Sequence, residues 1–214
     1  MDVFKELNAK QILKKQIKHH SNPNKKNYTV KRKNVRVKDI SFIRKKFPNA
    51  KSVLCIGSRE DSEVQDFIDN GFSAIGTDIL KASKLVREID AHDIDKYFGE
   101  NEFDVVFASH VLEHVLDVKK VMKNIKYISK DGVFIILPIV PRHKLKWQHP
   151  TIFEIMKLPI IKQTKSIFKE PHLYKNIWDD FNTLKPFELL GGEFRKGLTD
   201  PTEVYICLEF KNLV

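Results

Sequence analysis

Gly57, Ser58 and Arg59 follow four apolar residues, and Asp78 closes a second apolar run 21 positions after Gly57. A glycine where a strand turns into a helix lets backbone amides point at a ligand. A carboxylate about 20 residues on can accept ribose hydroxyls. The chemistry implied is capture of an adenosine-type cofactor, with Gly57 leaving room for close backbone approach. The competing reading makes Gly57 a simple turn and Asp78 the N-cap of a helix from Lys81 onward. A second group, Ser109, His110, Glu113 and His114, follows a third apolar run at residues 103–108 and offers a hydroxyl, two imidazoles and a carboxylate.

Positioning these groups requires strands that end together. Short apolar runs predict parallel strands at 52–56, 73–77, 86–90, 103–108 and 132–139, the first covered by helices on both faces. Residues 61–70 predict a helix with Val64, Phe67 and Ile68 toward the sheet and Gly71 as its C-terminal cap. Two further strands are expected at 187–190 and 203–210, with Gly191-Gly192 and Asp200-Pro201 as breaks. Upstream, residues 38–47 have helical periodicity ending at Pro48. Residues 28–37 alternate apolar and basic positions and suit a short strand or extended arm. About residues 3–18 read as a basic amphipathic helix through Val3, Phe4, Leu7, Ile12, Leu13 and Ile17.

The 214 residues, 42% hydrophobic and 31% charged, suit one sizeable core. The division expected is a basic N-terminal extension at 1–48 and a cofactor domain at 49–214 with an insertion at about 141–182. Residues 1–50 hold 15 Lys/Arg against three acids, whereas the rest is slightly acidic, so the net +10 belongs to the N-terminal segment. That asymmetry points to a polyanion, with RNA or DNA phosphates first, an acidic membrane surface second and acidic glycans third, against the alternative of a solvated face. The longest apolar run, at 133–140, is too short to cross a bilayer, for which about 20 residues are needed, so no transmembrane segment and a soluble, cytoplasmic protein are expected. Cys55 and Cys207 form no CxxC pair and have no close histidine, so they give no zinc signal. His110 and His114 lack a third ligand and His143, His149 and His172 are scattered, so no metal is expected.

VLCIGSRE, AIGTDIL, REIDAHDI, FDVVFASHVLEHV and DGVFIILP occur in the order and approximate spacing of the class I S-adenosylmethionine-dependent methyltransferases, over roughly residues 50–140. The closing segments FELLGGEF and EVYICLEF resemble the last hairpin of that fold. The resemblance implies an α/β, doubly wound Rossmann-like sheet of seven strands, the last antiparallel, with helices on both faces. It also implies S-adenosylmethionine as cofactor and S-adenosylhomocysteine as product.

Carried over by position, Gly57 and Ser58 line the methionine portion, and Arg59 either pairs with the cofactor carboxylate through its planar fork or fills the space a ligand needs. Asp78 accepts the ribose hydroxyls, Ile79 faces the adenine, and Asp90 receives its amino group beside the backbone of Ala91 and His92, with Asp93 as second choice. Ser109 and His110 back the sulfonium region, and Glu113 and His114 are the candidates for substrate contact or proton removal. The family pattern acid-x-Gly-x-Gly-x-Gly is altered here, with Cys55, Arg59 and Asp61 at the acid, second and third glycine positions. A subset of related proteins carries Gly-x-Arg, as Gly57-Ser-Arg59 does.

In this fold an insertion such as 141–182 covers the pocket and selects the acceptor, as a lid. Its aromatics, including Trp147 and Trp178, either stack a base or form the lid's own core. The acceptor atom is expected to be oxygen or nitrogen, on RNA or on a small molecule such as a sugar. The rival reading is a catalytically inactive relative that binds nucleic acid through its basic segment.

Overall fold

Runs of Val, Ile, Phe and Ala build the centre of a seven-stranded sheet in the computed structural model, which describes residues 29–80, 83–112, 114–138, 187–195 and 203–210, with Lys14. The strands are β1 (Ser52–Ile56), β2 (Ser73–Asp78), β3 (Val86–Glu88), β4 (Phe103–Ser109), β5 (Ser129–Pro138), β6 (Phe187–Arg195) and β7 (Glu203–Phe210). Their order is β3-β2-β1-β4-β5-β7-β6. Pairing is parallel across the first five, and β7 enters antiparallel to both β5 and β6. The chain moves outward from β1 to β3 and then returns to lay β4 against the other side of β1. The carboxyl ends of β1 and β4 therefore flank a topological switch point, where such sheets bind ligands.

Both faces of the central strands are covered. On one side, Val53 and Cys55 of β1, Val105 and Phe107 of β4 and Phe134 of β5 form a cluster with α1 (Thr29–Lys46) and α2 (Asp61–Asp69), through Ile40, Ile43, Val64 and Phe67. Rings link these layers: Phe67 meets Phe107 edge-on at 5.0 Å, and Phe107 stacks on Phe134 at 5.9 Å. The alternate residues Leu54, Ile56, Val106 and Ala108 point the other way and are equally buried. α3 (Val118–Ile128) buries Val118, Val121, Met122, Ile125 and Ile128, the spacing of a single apolar stripe, and packs on β5 and a 3₁₀ helix at Ala91–Lys96.

Local signals terminate the elements. α2 ends in a Schellman arrangement: Gly71, at φ +79°, donates to Ile68 O over 2.8 Å, and Phe72 N–H to Phe67 O over 3.1 Å. Asp117 caps α3, its side chain accepting from Lys120 N–H at 2.9 Å.

Four expectations on boundaries are corrected. Of the strand or arm expected at 28–37, residues 29–37 are helical and belong to α1, because the stripe Ile40, Ile43 and Phe47 continues at helical spacing to the buried Arg36. β3 stops at Glu88 rather than residue 90, since Asp90 becomes the N-cap of the 3₁₀ helix and draws the chain out of the ladder. β5 starts at Ser129, directly from α3, with Ser129 Oγ donating to Gly132 O over 2.6 Å. Gly191-Gly192 does not end β6; the ladder shifts register between Leu189 and Gly191, a bulge that glycine accommodates within the strand. Apart from Lys14, the segment at residues 3–18 lies outside the described residues, as do the insertion at 141–182 and Asp200-Pro201.

Candidate functional site

At the end of β1 the chain must reverse into α2 within four residues, and the turn uses left-handed backbone twice. Gly57 has φ +70° and Arg59 φ +49°. Arg59 thus adopts the conformation for which the family pattern carries glycine, at a cost of roughly 1–2 kcal/mol for an L-residue. A Cβ on Gly57 would collide with the side chain of Val111, in the loop after β4, so that loop closes directly over the glycine. Gly57 and Ser58 N–H both donate to Thr77 O, at 2.6 and 3.1 Å, and Ser58 Oγ donates to Cys55 O at 2.8 Å. These bonds fasten the turn to the end of β2.

Asp78 completes that junction. Its Oδ2 accepts from Arg59 N–H at 3.0 Å and its Oδ1 from Leu80 N–H at 2.8 Å, while Ile89 N–H donates to its carbonyl at 2.8 Å. Burial pushes the carboxyl above its ordinary value, against the opposing pull of the Leu80 and Arg59 amides and the Arg59 charge. A carboxylate has about four lone-pair sites, so the amides of Arg59, Leu80 and Ile79 still leave acceptor capacity for a ligand hydroxyl. Gly76, one residue upstream of Thr77, is a position that sequence reasoning passed over. A Cβ there would lie 2.8 Å from Val64, 2.9 Å from Ser58 Oγ and 2.9 Å from Val86. A glycine inside a strand is itself a signal of such close approach.

After β3, Asp90 and His92 form a compact unit. Asp90 Oδ1 accepts from His92 N–H at 2.9 Å and from His92 Nδ1 at 2.6 Å, and this imidazole contact is the main cause of a lowered Asp90 carboxyl pKa. His92 Nε2 accepts from Asp117 N–H at 3.1 Å, which assigns the ring proton to Nδ1. Asn124, buried on α3, donates to His92 O at 2.8 Å. Among the described residues both side-chain contacts fall on Oδ1, which leaves Oδ2 for a ligand. Ala91 is buried behind this unit, and Ile79 is half-buried beside Asp78.

β4 delivers Ser109, paired with Ile136 of β5, and His110, which has φ +56° and donates from its backbone N–H to Ile136 O at 2.9 Å. His114 N–H donates to Val111 O at 2.8 Å. Glu113 lies outside the described residues. The structure therefore joins Gly57, Ser58, Arg59 and Asp78 in one junction, links Asp90 to the start of α3, and seats the Ser109–His110 turn next to Gly57 through Val111.

The residues fit a nucleoside-bearing cofactor: a half-buried carboxylate with acceptor capacity to spare ends β2 beside a turn whose glycine cannot carry a Cβ. Among the described residues no group of three His, Cys, Asp or Glu could hold a metal, and no helix is long and apolar enough to cross a membrane. Cys55 is a free, buried thiol whose pKa burial raises well above its ordinary value, so it is inert packing.

A family profile described as methyltransferase domain matches residues 28–181, more than half of the chain. No curated protein is significantly similar in sequence. Among solved structures, the chain is similar to the 1,6-didemethyltoxoflavin-N1-methyltransferase of Burkholderia thailandensis, solved with 1,6-didemethyltoxoflavin and S-adenosylhomocysteine, at 11% identity and TM-score 0.63 over 94% of this chain and 88% of that one. It is also similar to magnesium protoporphyrin IX methyltransferase from Synechocystis PCC 6803 with bound S-adenosylhomocysteine, at 12% identity and TM-score 0.54 over 96% and 89%. A protein from Pyrococcus horikoshii OT3 shares 14% identity with TM-score 0.57 over 91% and 98%. At such identities the solved structures establish the α/β Rossmann-like fold, and the profile establishes the family. The chain belongs to the methyltransferase domain family, as a class I member that uses S-adenosylmethionine.

Proposed function

We propose that this methyltransferase moves a methyl group to an oxygen or nitrogen of its acceptor, with the cofactor held across the carboxyl ends of β1, β2 and β3. The observation that supports this binding mode is the 3.0 Å bond from Arg59 N–H to Asp78 Oδ2, which holds the glycine turn against the acidic strand end. When bound, S-adenosylmethionine supplies an electrophilic methyl on its sulfonium.

In this reading Asp78 accepts the ribose hydroxyls and Ile79 lies against the adenine. Asp90 receives the adenine amino group on Oδ2, next to the backbone of Ala91. Arg59 directs its guanidinium to the amino-acid carboxylate while Gly57 and Ser58 border the methionine portion. Ser109 and His110 back the reacting centre, and Glu113 and His114 orient the acceptor or take its proton. In-line approach of the acceptor supplies much of the rate in such transfers, so these two residues act chiefly through placement.

For the acceptor we favour a phosphate-bearing molecule, RNA before DNA, on the strength of 15 Lys/Arg against three acids in residues 1–50. The segment at 141–182 is assigned the part of a lid, and a small molecule such as a sugar is the alternative acceptor.

Calorimetric titration with S-adenosylmethionine and S-adenosylhomocysteine, with NAD as control, tests the pocket. Micromolar binding of the first two is expected, and Asp78→Ala should weaken it roughly 10- to 100-fold, the worth of charge-assisted bonds, without unfolding the domain. Unchanged affinity in a folded Asp78→Ala protein would remove the ribose assignment. Deleting residues 1–20 should lower RNA affinity and flatten its salt dependence; no change would return the segment to a solvated face.

A further inference from the structure

We infer that His92 is a positioning residue that holds the adenine-side carboxylate in register with the loop after β4. The inference rests on the cofactor reading above, in which Asp90 meets the adenine amino group. Three bonds carry it. His92 Nδ1 lies 2.6 Å from Asp90 Oδ1, its Nε2 receives Asp117 N–H at 3.1 Å, and its carbonyl receives Asn124 Nδ2 at 2.8 Å.

Each bond reaches a different part of the site. Asp90 is the N-cap of the 3₁₀ helix, and its side chain is 39% exposed, so water and rotation would blur its direction without a second donor beside the His92 backbone N–H. Asp117 ends the loop that follows Ser109 and caps α3, and its backbone N–H precedes the helical ladder. The imidazole answers that donor on one nitrogen and orients Asp90 with the other. Asn124, 4% exposed, fixes the His92 backbone from the middle of α3, so the ring spans two points already anchored. One side chain thus sets the distance between the end of β3 and the start of α3. A substitution that breaks only one of its two ring bonds should disturb only one side of the site.

The two amide residues that resemble halves of an imidazole separate these bonds. Asparagine places its amide nitrogen near Nδ1 and keeps a donor for Asp90. Glutamine places its amide oxygen near Nε2 and keeps an acceptor for Asp117.

Calorimetry with S-adenosylhomocysteine and with its 6-oxo analogue, which lacks the amino group, reads the first bond. His92→Gln should weaken S-adenosylhomocysteine about five- to tenfold, the worth of one oriented hydrogen bond, and leave the 6-oxo analogue within about twofold. His92→Asn should bind S-adenosylhomocysteine within about twofold of wild type while its Asp117 amide exchanges hydrogen faster; His92→Gln should retain that protection. Equal loss for both ligands, as general loosening would give, overturns the inference, and so does wild-type affinity in His92→Gln. A wild-type protein that binds no S-adenosylhomocysteine overturns the cofactor reading itself, and the inference falls with it.

Discussion

Arg36 of α1 donates from Nε to Asp66 Oδ2 of α2 across 2.5 Å, with both side chains nearly buried at 10% and 7% exposure. Glu63 Oε2 stands 3.9 Å from the same guanidinium. The pair ties the helix that brings basic charge to the domain onto the helix that follows the glycine turn. Removing Asp66 leaves Arg36 with the longer contact to Glu63, in a site that water reaches poorly.

Asp66→Ala is therefore expected to lose about 3 kcal/mol of unfolding free energy, read from urea denaturation, at the low end for a broken buried pair because Glu63 still faces Arg36, whereas the triple substitution Arg36→Met, Glu63→Gln and Asp66→Leu should recover most of it. A loss for the single variant within about 1 kcal/mol, the level of an exposed pair, would contradict the burial argument.

Backbone strain in the β1 turn gives opposite signs at neighbouring positions. Arg59→Gly removes a side chain from φ +49° and should stabilise the fold by about 1 kcal/mol. Gly57→Ala places a Cβ at φ +70° and into Val111, and should destabilise it by about 2–3 kcal/mol. Thermal and chemical melts of the two variants decide the matter; destabilisation by Arg59→Gly would mean that its side-chain contacts outweigh the strain.

Proton linkage at Asp78 follows from the direction of its shift. Burial raises its folded pKa, so the folded state binds the proton more readily than the unfolded chain. The Asp78 contribution to stability consequently improves as pH falls through the raised value, and its burial penalty is complete above it. Cofactor affinity moves the other way, because ribose hydroxyls need an ionised acceptor. Titrations with S-adenosylhomocysteine across the acidic range should show affinity falling as pH drops through the raised Asp78 value. In Asp78→Asn that part of the dependence should vanish, and its persistence would assign the linkage to another group. Asp90 has the opposite sign: its pKa is depressed, chiefly by His92, so its stabilisation is present above the ordinary value and lost as pH falls through the depressed one.

The sheet's inner strands were readable because each signal was local. Continuous apolar runs at β1, β2 and β4 sit between turn residues, and Val64, Phe67 and Gly71 marked α2 and its end without reference to anything distant. The start of α1 was hidden because Tyr28 and Val30, and again Val35 and Val37, each mimic a two-residue period, and the partner that settles the matter, Asp66, is 30 residues away from Arg36. Gly191-Gly192 looks like a break until a facing strand shows that a bulge absorbs it. In the site, spacing pointed to Asp78 as a strand-end carboxylate. That Arg59 would adopt a glycine's conformation, that Val111 would close over Gly57 and that His92 would bridge to Asp117 depend on loops meeting in space. Asp90-Ala-His92 did carry a short-range hint, since an aspartate two residues before a histidine suits a cap, but the sequence holds no trace of the bond to Asp117.

β7 lies between β5 and β6, so the innermost partner of β5 is a late arrival: Pro138 pairs with Glu203 and Gly132 with Glu209. As the chain is synthesised, the hydrophobic flank of Val133, Phe134, Ile135 and Ile136 carries an open row of amides and carbonyls until residues 203–210 emerge. Such non-local closure slows folding and exposes a template for association between nascent chains. The vulnerable moment in the life of this protein is thus before its first turnover, and a chaperone that shields the flank of β5 would act where the fold is least able to protect itself.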